Sequence, residues 1–567
     1  MATPTSKKEK LRGRAFYESL GSPKMILAPM VDRSEFAWRM LTRSFMDCDA
    51  GGVDGDIDGH RNTPQLLAYS PMFHARMFKD SANYREQHFE AQRSPSTSTA
   101  TTTTTAPENP NPTPYLDGNP TIDRPLIVQF CANDPAELLA AARCVEPFCD
   151  AVDLNLGCPQ GIARKGHYGA FLQEEPELIY KLINTLHNEL SVPVTAKFRI
   201  QESKEKTLEY ARMILSAGAS FLTVHGRRRE QKGHNTGLAD WEYIRYLREN
   251  LPKETVIFAN GNILAHGDVE RCLEATGADG VMSAEGNLCD PTIFSTPPAV
   301  GMEGPGYWRG RDGRGGYRMD FVLRRYMDII YKYVLEVAPP ERKPLFVLDN
   351  TTATTTAATT TTNTHPGPSA NSAEPALKRP APHEAEAEPA GTGADDAGPP
   401  KKKQKQKRTK DTSPRATSPN LVPMQGHLFQ LLRPLVAKHT HIRDCLARAR
   451  AGNMAAFEEI VTMVDEVVQA GMQEYAARPE MFEEEVKREA ATRTVSRETV
   501  REYKRPWWVC QPYVRPLPEE ALINGAMQLK KRDVVGRRET ETGSTCADEA
   551  GDCAVSATAL PQEKVAG

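Results

Sequence analysis

Residues 194–226 read VTAKFRIQESKEKTLEYARMILSAGASFLTVHG. The first run, 194–198 (VTAKF), is apolar apart from one threonine and one lysine, and the last, 221–224 (FLTV), is apolar apart from one threonine. Between them, 207–217 carries helical spacing. Strand, helix, strand, with both strands apolar on both faces, describes a parallel crossover unit covered on each side. The same alternation runs through the neighbouring sequence. Strand-like runs occur at 25–28 (MILA), 66–69 (LLAY), 126–130 (LIVQF), 151–154 (AVDL), 256–259 (VIFA) and 280–283 (GVMS). Helical stretches at 34–45, 135–146, 176–189, 241–250 and 267–276 separate most of them. Eight such strands closed into a ring make an α/β (β/α)8 TIM barrel, which needs about 250 residues. Residues 21–300 supply that length. The runner-up, an open doubly wound sheet, is disfavoured because no GxGxxG follows any strand.

Outside the barrel the composition changes. The chain has 567 residues, 39% hydrophobic, with 71 Lys and Arg against 74 Asp and Glu. The apolar deficit sits in Thr-, Pro-, Ala- and charge-rich segments that cannot bury a core. Residues 1–20 are expected as a disordered basic N-terminus, and 47–62 and 91–119 as disordered insertions in the barrel. Segments 315–348 and 422–520 are expected to form an all-α C-terminal domain. It starts with an amphipathic helix over 320–335 and includes a charged helix over 483–504. A disordered insertion, 349–421, interrupts it, and 521–567 is expected as a disordered tail. No apolar run approaches the roughly 18–20 residues of a membrane span, and the basic N-terminus lacks the apolar core of a secretory signal. A soluble monomer in nucleus or cytoplasm is expected. Eleven scattered cysteines, with no CxxC pair, suggest neither a disulfide framework nor a zinc site. Asp54, Asp56, Asp58 and Gly59 open like an EF-hand loop, but its twelfth position is Gln65. That segment is read as a solvated acidic loop, and no metal site is expected. Lys378, Arg379 and the run KKKQKQKRTK at 401–410 read as a bipartite nuclear-import signal or as an RNA-binding tail.

Polar residues gather at the C-terminal ends of the strands, where barrel active sites lie. Strand one ends in Pro29, Met30 and Val31. Strand three ends near Gln129, and strand four runs into Asn155 and Cys158. Strand five carries Lys197 and Arg199. Strand six gives His225 and Arg227, strand seven Asn260, Gly261 and Asn262, and strand eight Ala284 and Glu285. Burial of such groups is costly unless they are paired or used. The Gly-bearing turns after strands seven and eight supply backbone amides where barrels often hold phosphate. Lys197 puts a cation at the barrel mouth, suited to stabilising an anionic cofactor such as reduced flavin. Cys158 differs from the other cysteines in lying in a Gly-Cys-Pro turn at a strand end. A thiol there is a candidate nucleophile or general acid.

In order, LAPMVD, DLNLGCPQ, RKGHYGAFL, TAKFR, TVHGR, FANGNI and VMSAEGNL resemble the tRNA-dihydrouridine synthases over residues 24–294. AEGNL, HARMF at 74–78 and PYVRPLP at 512–518 look most like the eukaryotic type acting on tRNA D-loop positions 16 and 17. The resemblance implies FMN across the barrel mouth, with NADPH or NADH as reductant and tRNA as substrate. Pro29, Met30 and Val31 would line the flavin ring, Gln129 would bond its pyrimidine edge, and Lys197 and His225 would flank it. Asn260, Gly261, Asn262, Ala284 and Glu285 would hold the ribityl phosphate. Asn155, Arg199 and Arg227 would lie on the substrate side, with Asn155 orienting the uracil. Uracil C6 would receive a hydride, and Cys158 would protonate C5. Arg433, Lys438, Arg443, Arg448 and Arg450 would contact tRNA phosphates. Two other readings use the same residues. One is an FMN barrel that reduces a free small pyrimidine. The other is a non-catalytic RNA-binding barrel.

Overall fold

The computed structural model describes residues 10–46, 66–93, 113–348 and 418–525. Eight parallel strands close in chain order into a barrel: β1 (Met25–Leu27), β2 (Leu66–His74), β3 (Leu126–Cys131), β4 (Ala151–Leu156), β5 (Val194–Arg199), β6 (Phe221–His225), β7 (Val256–Asn260) and β8 (Gly280–Ser283). The sheet is closed by β1 pairing with both β2 and β8. Strands three to six are almost wholly buried, as near-continuous apolar runs in a covered parallel sheet must be. β2 runs further than its four-residue apolar core suggested. It passes through Ser70 and Pro71 by a register shift between Tyr69 and Met72, an irregularity that a proline in a strand requires.

Outer helices follow most β-strands. Helix Pro135–Val145 starts at Asp134, whose carboxylate accepts the Glu137 amide at 2.8 Å, and turns Leu138, Ala141, Ala142 and Val145 inward. Helix Lys204–Ser216 is capped by Ser203 in the same manner. Helix His266–Thr276 ends on Gly277 in the left-handed region, φ +66.

Parts of four segments expected to be disordered are ordered. Helix Gly13–Ser19 closes the bottom of the barrel, with Phe16 and Tyr17 joining Tyr69, Phe221 and Phe258 in one cluster. The Phe16 and Phe221 rings stack at 5.7 Å. The Tyr17 hydroxyl donates to Asp279 O at 3.0 Å, and burial pushes its pKa up to about 12. Seven residues are too few for a helical periodicity to show. Residues 113–119 are ordered because Asp117 pairs with the fully buried Arg39 at 2.7 Å, beside Asp123. Asn420 accepts the Ala37 amide at 2.8 Å, and helix Pro518–Ile523 extends past 521. The acidic 47–60 stretch and the basic 378–410 clusters lie outside the described residues.

Beyond the barrel, a hairpin pairs Tyr307–Arg309 with Gly315–Tyr317. Helix Met319–Ile329 continues as a π-helical turn through Leu335, in place of one regular helix. It packs on barrel helix Phe36–Met46 and on the long helix Met454–Ala477. The charged stretch 483–504 forms two helices, Glu480–Ala491 and Arg497–Tyr503, rather than one. The break is fixed by Glu520, which accepts the amides of Thr494, Val495 and Ser496. These bonds hold its carboxyl down at about 2 against the opposing effect of burial. Barrel and C-terminal helices pack as one compact unit. Among the described residues no helix is long and apolar enough to cross a membrane.

Candidate active site

Parallel register sets the rim. Gln129 lies beside Asp153, Asn155 beside Lys197, Arg199 beside His225, and His225 beside Asn260. Alternate residues of a strand share a face, so Asp153 and Asn155 both point inward, as do Thr195 and Lys197. A hydrogen-bonded column results. Thr195 Oγ1 donates to Asp153 Oδ1 at 2.6 Å, and Gln129 Nε2 donates to Asp153 Oδ2 at 2.7 Å. Asn155 Nδ2 donates to Gln129 Oε1 at 2.7 Å, and Asn155 Oδ1 accepts the amides of Gly157 and Cys158 at 3.1 and 2.9 Å. Burial lifts the Asp153 carboxyl to about 6, against the pull of Thr195, Gln129 and Lys197. Lys197 makes no hydrogen bond or ion pair among the described residues. Burial and then the nearby Arg199 bring its ammonium down to about 8, against Asp153.

Cys158 is half-buried and packs, as do Met72 and Phe171, on the cluster of Cys131, Ala163 and Tyr168. The RKGHYGAFL stretch forms its seat. Ala170 N donates to Cys158 O at 3.1 Å, and Gly169, at φ +68, comes so close that a Cβ there would fall 2.9 Å from Cys158 Cβ. Lys232 Nζ donates to Pro159 O at 2.6 Å from the opposite side.

A cavity of about 380 Å3 lies across the ends of β6, β7 and β8. His225, half-buried, faces it. Burial, then the cations Arg199, Lys197 and Arg227, hold its pKa well below the ordinary value, so the ring is neutral. Arg227 Nη1 approaches His225 Nε2 at 3.2 Å. A guanidinium only donates, so Nε2 accepts and Nδ1 carries the proton. Gly261, at φ +115, lies under that ring, and a Cβ there would sit 2.6 Å from Ala239 Cβ and 3.2 Å from the His225 ring. Gly286 is as confined, its Cβ falling 2.1 Å from Ile263 O.

The cavity collects His225, Arg199, Arg227, Asn260, Gly261, Asn262, Ala284 and Glu285. Gln129, Asn155, Cys158 and Lys197 occupy the adjoining β3–β5 side of the rim. Pro29 and Met30 are half-buried, Met30 against the barrel interior, while Val31 is 54% exposed.

Several side chains have tasks other than those expected. Arg199 clamps carbonyls, bonding Gly157 O at 2.8 Å and Arg228 O at 2.9 Å. Arg227 is buried and ties His225 to Gly237 O and to Asn262 Oδ1. The Asn262 amide closes on both backbone groups of Ala239, at 2.9 and 2.8 Å, leaving its backbone to face the cavity. The Glu285 carboxylate is held by Arg515 through two bonds of 2.8 and 2.6 Å. The oxygen of Asn155 is spent on the Cys158 turn, which leaves one amide hydrogen for a ligand. Asp153 and Arg515 carry more of the site than their sequence signals indicated. Asp153 was visible as a carboxylate inside an apolar strand, and Arg515 only as part of PYVRPLP. Of the basic residues expected on RNA, Arg433 lies 4.0 Å over the Tyr513 ring, Lys438 lies 5.0 Å over Trp507, and Arg443 pairs with Asp444. Arg448 and Arg450 are exposed.

Residues 26–303 match the dihydrouridine synthase (Dus) family. Over 511 residues the chain is 39% identical to the tRNA-dihydrouridine(16/17) synthase (NAD(P)(+)) of Saccharomyces cerevisiae, covering 90% of this chain and 88% of the yeast protein. It is 38% identical to the protein of the same name from Schizosaccharomyces pombe, over 90% and 92% of the two chains. With the Mus musculus tRNA-dihydrouridine(16/17) synthase-like protein it shares 45% over 295 residues, 51% of this chain and 52% of the other.

Proposed function

This chain belongs to the dihydrouridine synthase family, and we propose that it reduces uridines 16 and 17 of tRNA to dihydrouridine, using NAD(P)H through FMN. One observation carries the reading: Cys158 is fixed at the end of β4 by Asn155, next to the one rim cation, Lys197, that has no hydrogen-bond or ion-pair partner among the described residues. The likeness to proteins named tRNA-dihydrouridine(16/17) synthase extends beyond the barrel into the C-terminal helices, which supports the RNA substrate.

The residues fit FMN. Gly261 and Gly286 let the loops after β7 and β8 pack closely on Ala239 and Ile263, and Arg199, Arg227, Lys232 and Arg515 line the cavity with positive charge suited to a phosphate. Backbone amides of 260–262 and 284–286 would receive the phosphate. Lys197 would face the ring edge that gains negative charge. Gln129, its amide orientation fixed by Asp153 and Asn155, would offer its remaining N–H and lone pair to the pyrimidine edge. When bound, FMN supplies the relay of two electrons from the nicotinamide to the pyrimidine C5–C6 bond.

The chain's own work is binding, orientation and one proton. The target uridine leaves the RNA stack, which costs a few kcal/mol and least in a loop. The remaining N–H of Asn155 is placed to bond a uracil carbonyl. His225, neutral with its proton on Nδ1, offers a donor without adding charge. As C6 is reduced, negative charge gathers on the uracil C5 and O4 side. The Cys158 Sγ–H gives its proton to C5, and solvent returns it afterwards.

A test separates this from reduction of a free pyrimidine. NADPH oxidation by the purified, flavin-loaded protein is followed with unmodified tRNA or with uridine monophosphate. The reading expects turnover with tRNA alone; equal turnover with the mononucleotide would assign the site to a small substrate.

A further inference from the structure

The rim cavity has a wall that the barrel does not supply. After the hairpin, Cys510 N donates to Tyr317 O at 2.9 Å, and the chain continues across the top of the barrel. Arg515 lines the cavity and grips Glu285, with Nε on Oε2 at 2.8 Å and Nη2 on Oε1 at 2.6 Å. Glu285 opens the short helix Glu285–Cys289 directly after β8. Three residues further on, Pro518 meets the loop after β6, 3.8 Å from where a Cβ on Gly237 would stand. The carbonyl of Gly237 in turn accepts Arg227 Nε at 3.1 Å. One short segment therefore braces two loops of the cavity. It is held from outside by Tyr513, with Arg433 at 4.0 Å and Arg515 at 5.6 Å from the ring centroid.

Charge gives this brace a second consequence. Glu285 puts a carboxylate beside the backbone that would receive a phosphate, and like charges at that range repel. Arg227, bonded to Gly237, His225 and Asn262, adds positive charge nearby and feels Glu285 through space. Arg515 holds that carboxylate directly. It uses two of its five N–H groups on Glu285, and the other three make no hydrogen bond among the described residues.

We infer that Arg515 is a positioning residue for the cofactor phosphate. It neutralises Glu285 and fixes the β8 loop, so the anion end of the cavity is complete only when the C-terminal segment is docked. The inference rests on the FMN reading above and assigns a role to a residue more than 200 positions away from the loop it serves.

The test reads FMN affinity, by flavin fluorescence, in the full-length flavin-stripped protein. Arg515→Ala is expected to weaken FMN binding roughly tenfold, as loss of one partner leaves the other charge uncompensated. Adding Glu285→Gln to it should restore most of that loss, which a merely packing role would not allow. Glu285→Gln alone should bind within about threefold of wild type, and it serves if Arg515→Ala does not fold. Binding by Arg515→Ala within twofold of wild type overturns the inference. So does a double variant as weak as the single one, or a tenfold loss in Glu285→Gln alone. A wild-type protein that binds no FMN instead removes the reading on which the inference stands.

Discussion

Cys158 is positioned almost entirely through its backbone: Asn155 takes its amide, Ala170 its carbonyl, and Gly169 closes the space beneath it. The thiol is thus aimed without being bonded, as a proton donor must be. Cys158→Ala should retain FMN and its absorbance yet lose turnover by about 10²–10⁴-fold, the usual worth of a general acid. Single-turnover assays with tRNA check this, and an undiminished rate would remove the thiol from the reaction. Lys197 makes a prediction of opposite sign for stability. The folded chain releases its proton near 8, below the ordinary lysine value, so between those limits the unfolded chain binds more protons. Stability from this group therefore rises with pH across that window, and the cost is fully present below it. In flavin-free protein, Lys197→Met should raise stability at pH 7 by about 1–3 kcal/mol. The gain should fade above the ordinary lysine range, as urea unfolding at several pH values would show. At this scale the sequence was legible where a polar residue ends an apolar strand, as for Cys158, Lys197 and His225. It was not legible for Arg199, Asn262 or Glu285, because residue type does not reveal which backbone carbonyl or distant arginine a side chain will meet.

Strands are legible because a covered parallel sheet needs apolar residues on both faces, and all eight runs became strands of one barrel. Short or irregular elements were not. Helix Gly13–Ser19 has less than two turns and no side-chain cap, and it exists because Phe16 and Tyr17 plug the barrel floor. Phe16→Ala should cost about 3 kcal/mol, in line with large-to-small changes in a core, measured by denaturant unfolding. A change under 0.5 kcal/mol would mean that residues before the barrel are dispensable. The split between Glu480–Ala491 and Arg497–Tyr503 has a cause outside the segment's own pattern, namely the Glu520 carboxylate bonded to three successive amides.

Across the whole molecule, barrel and helices share a buried interface. Trp38 of the barrel packs on His427 at 4.5 Å, and Tyr326 Oη and His427 Nδ1 are hydrogen-bonded at 2.8 Å. A free pyrimidine would need no such attachment, whereas a folded RNA gains a second surface. Contacts from exposed cations such as Arg448 and Arg450 should make tRNA affinity fall steeply with salt. Removing both should flatten that dependence by up to about two phosphate equivalents. Filter binding across a salt series checks it, and an unchanged slope would place the RNA elsewhere. Neither the acidic nor the basic low-complexity segment enters this account, since each lies outside the described residues. Incubating the flavin-loaded protein with unmodified tRNA and NADPH, then mapping dihydrouridine by nuclease digestion and mass spectrometry, reads both the position and the chemistry of the product. A gain of two hydrogens at positions 16 and 17, abolished by Cys158→Ala, is expected. An unmodified D-loop, or saturation at other positions only, would rule out the reaction proposed for this site.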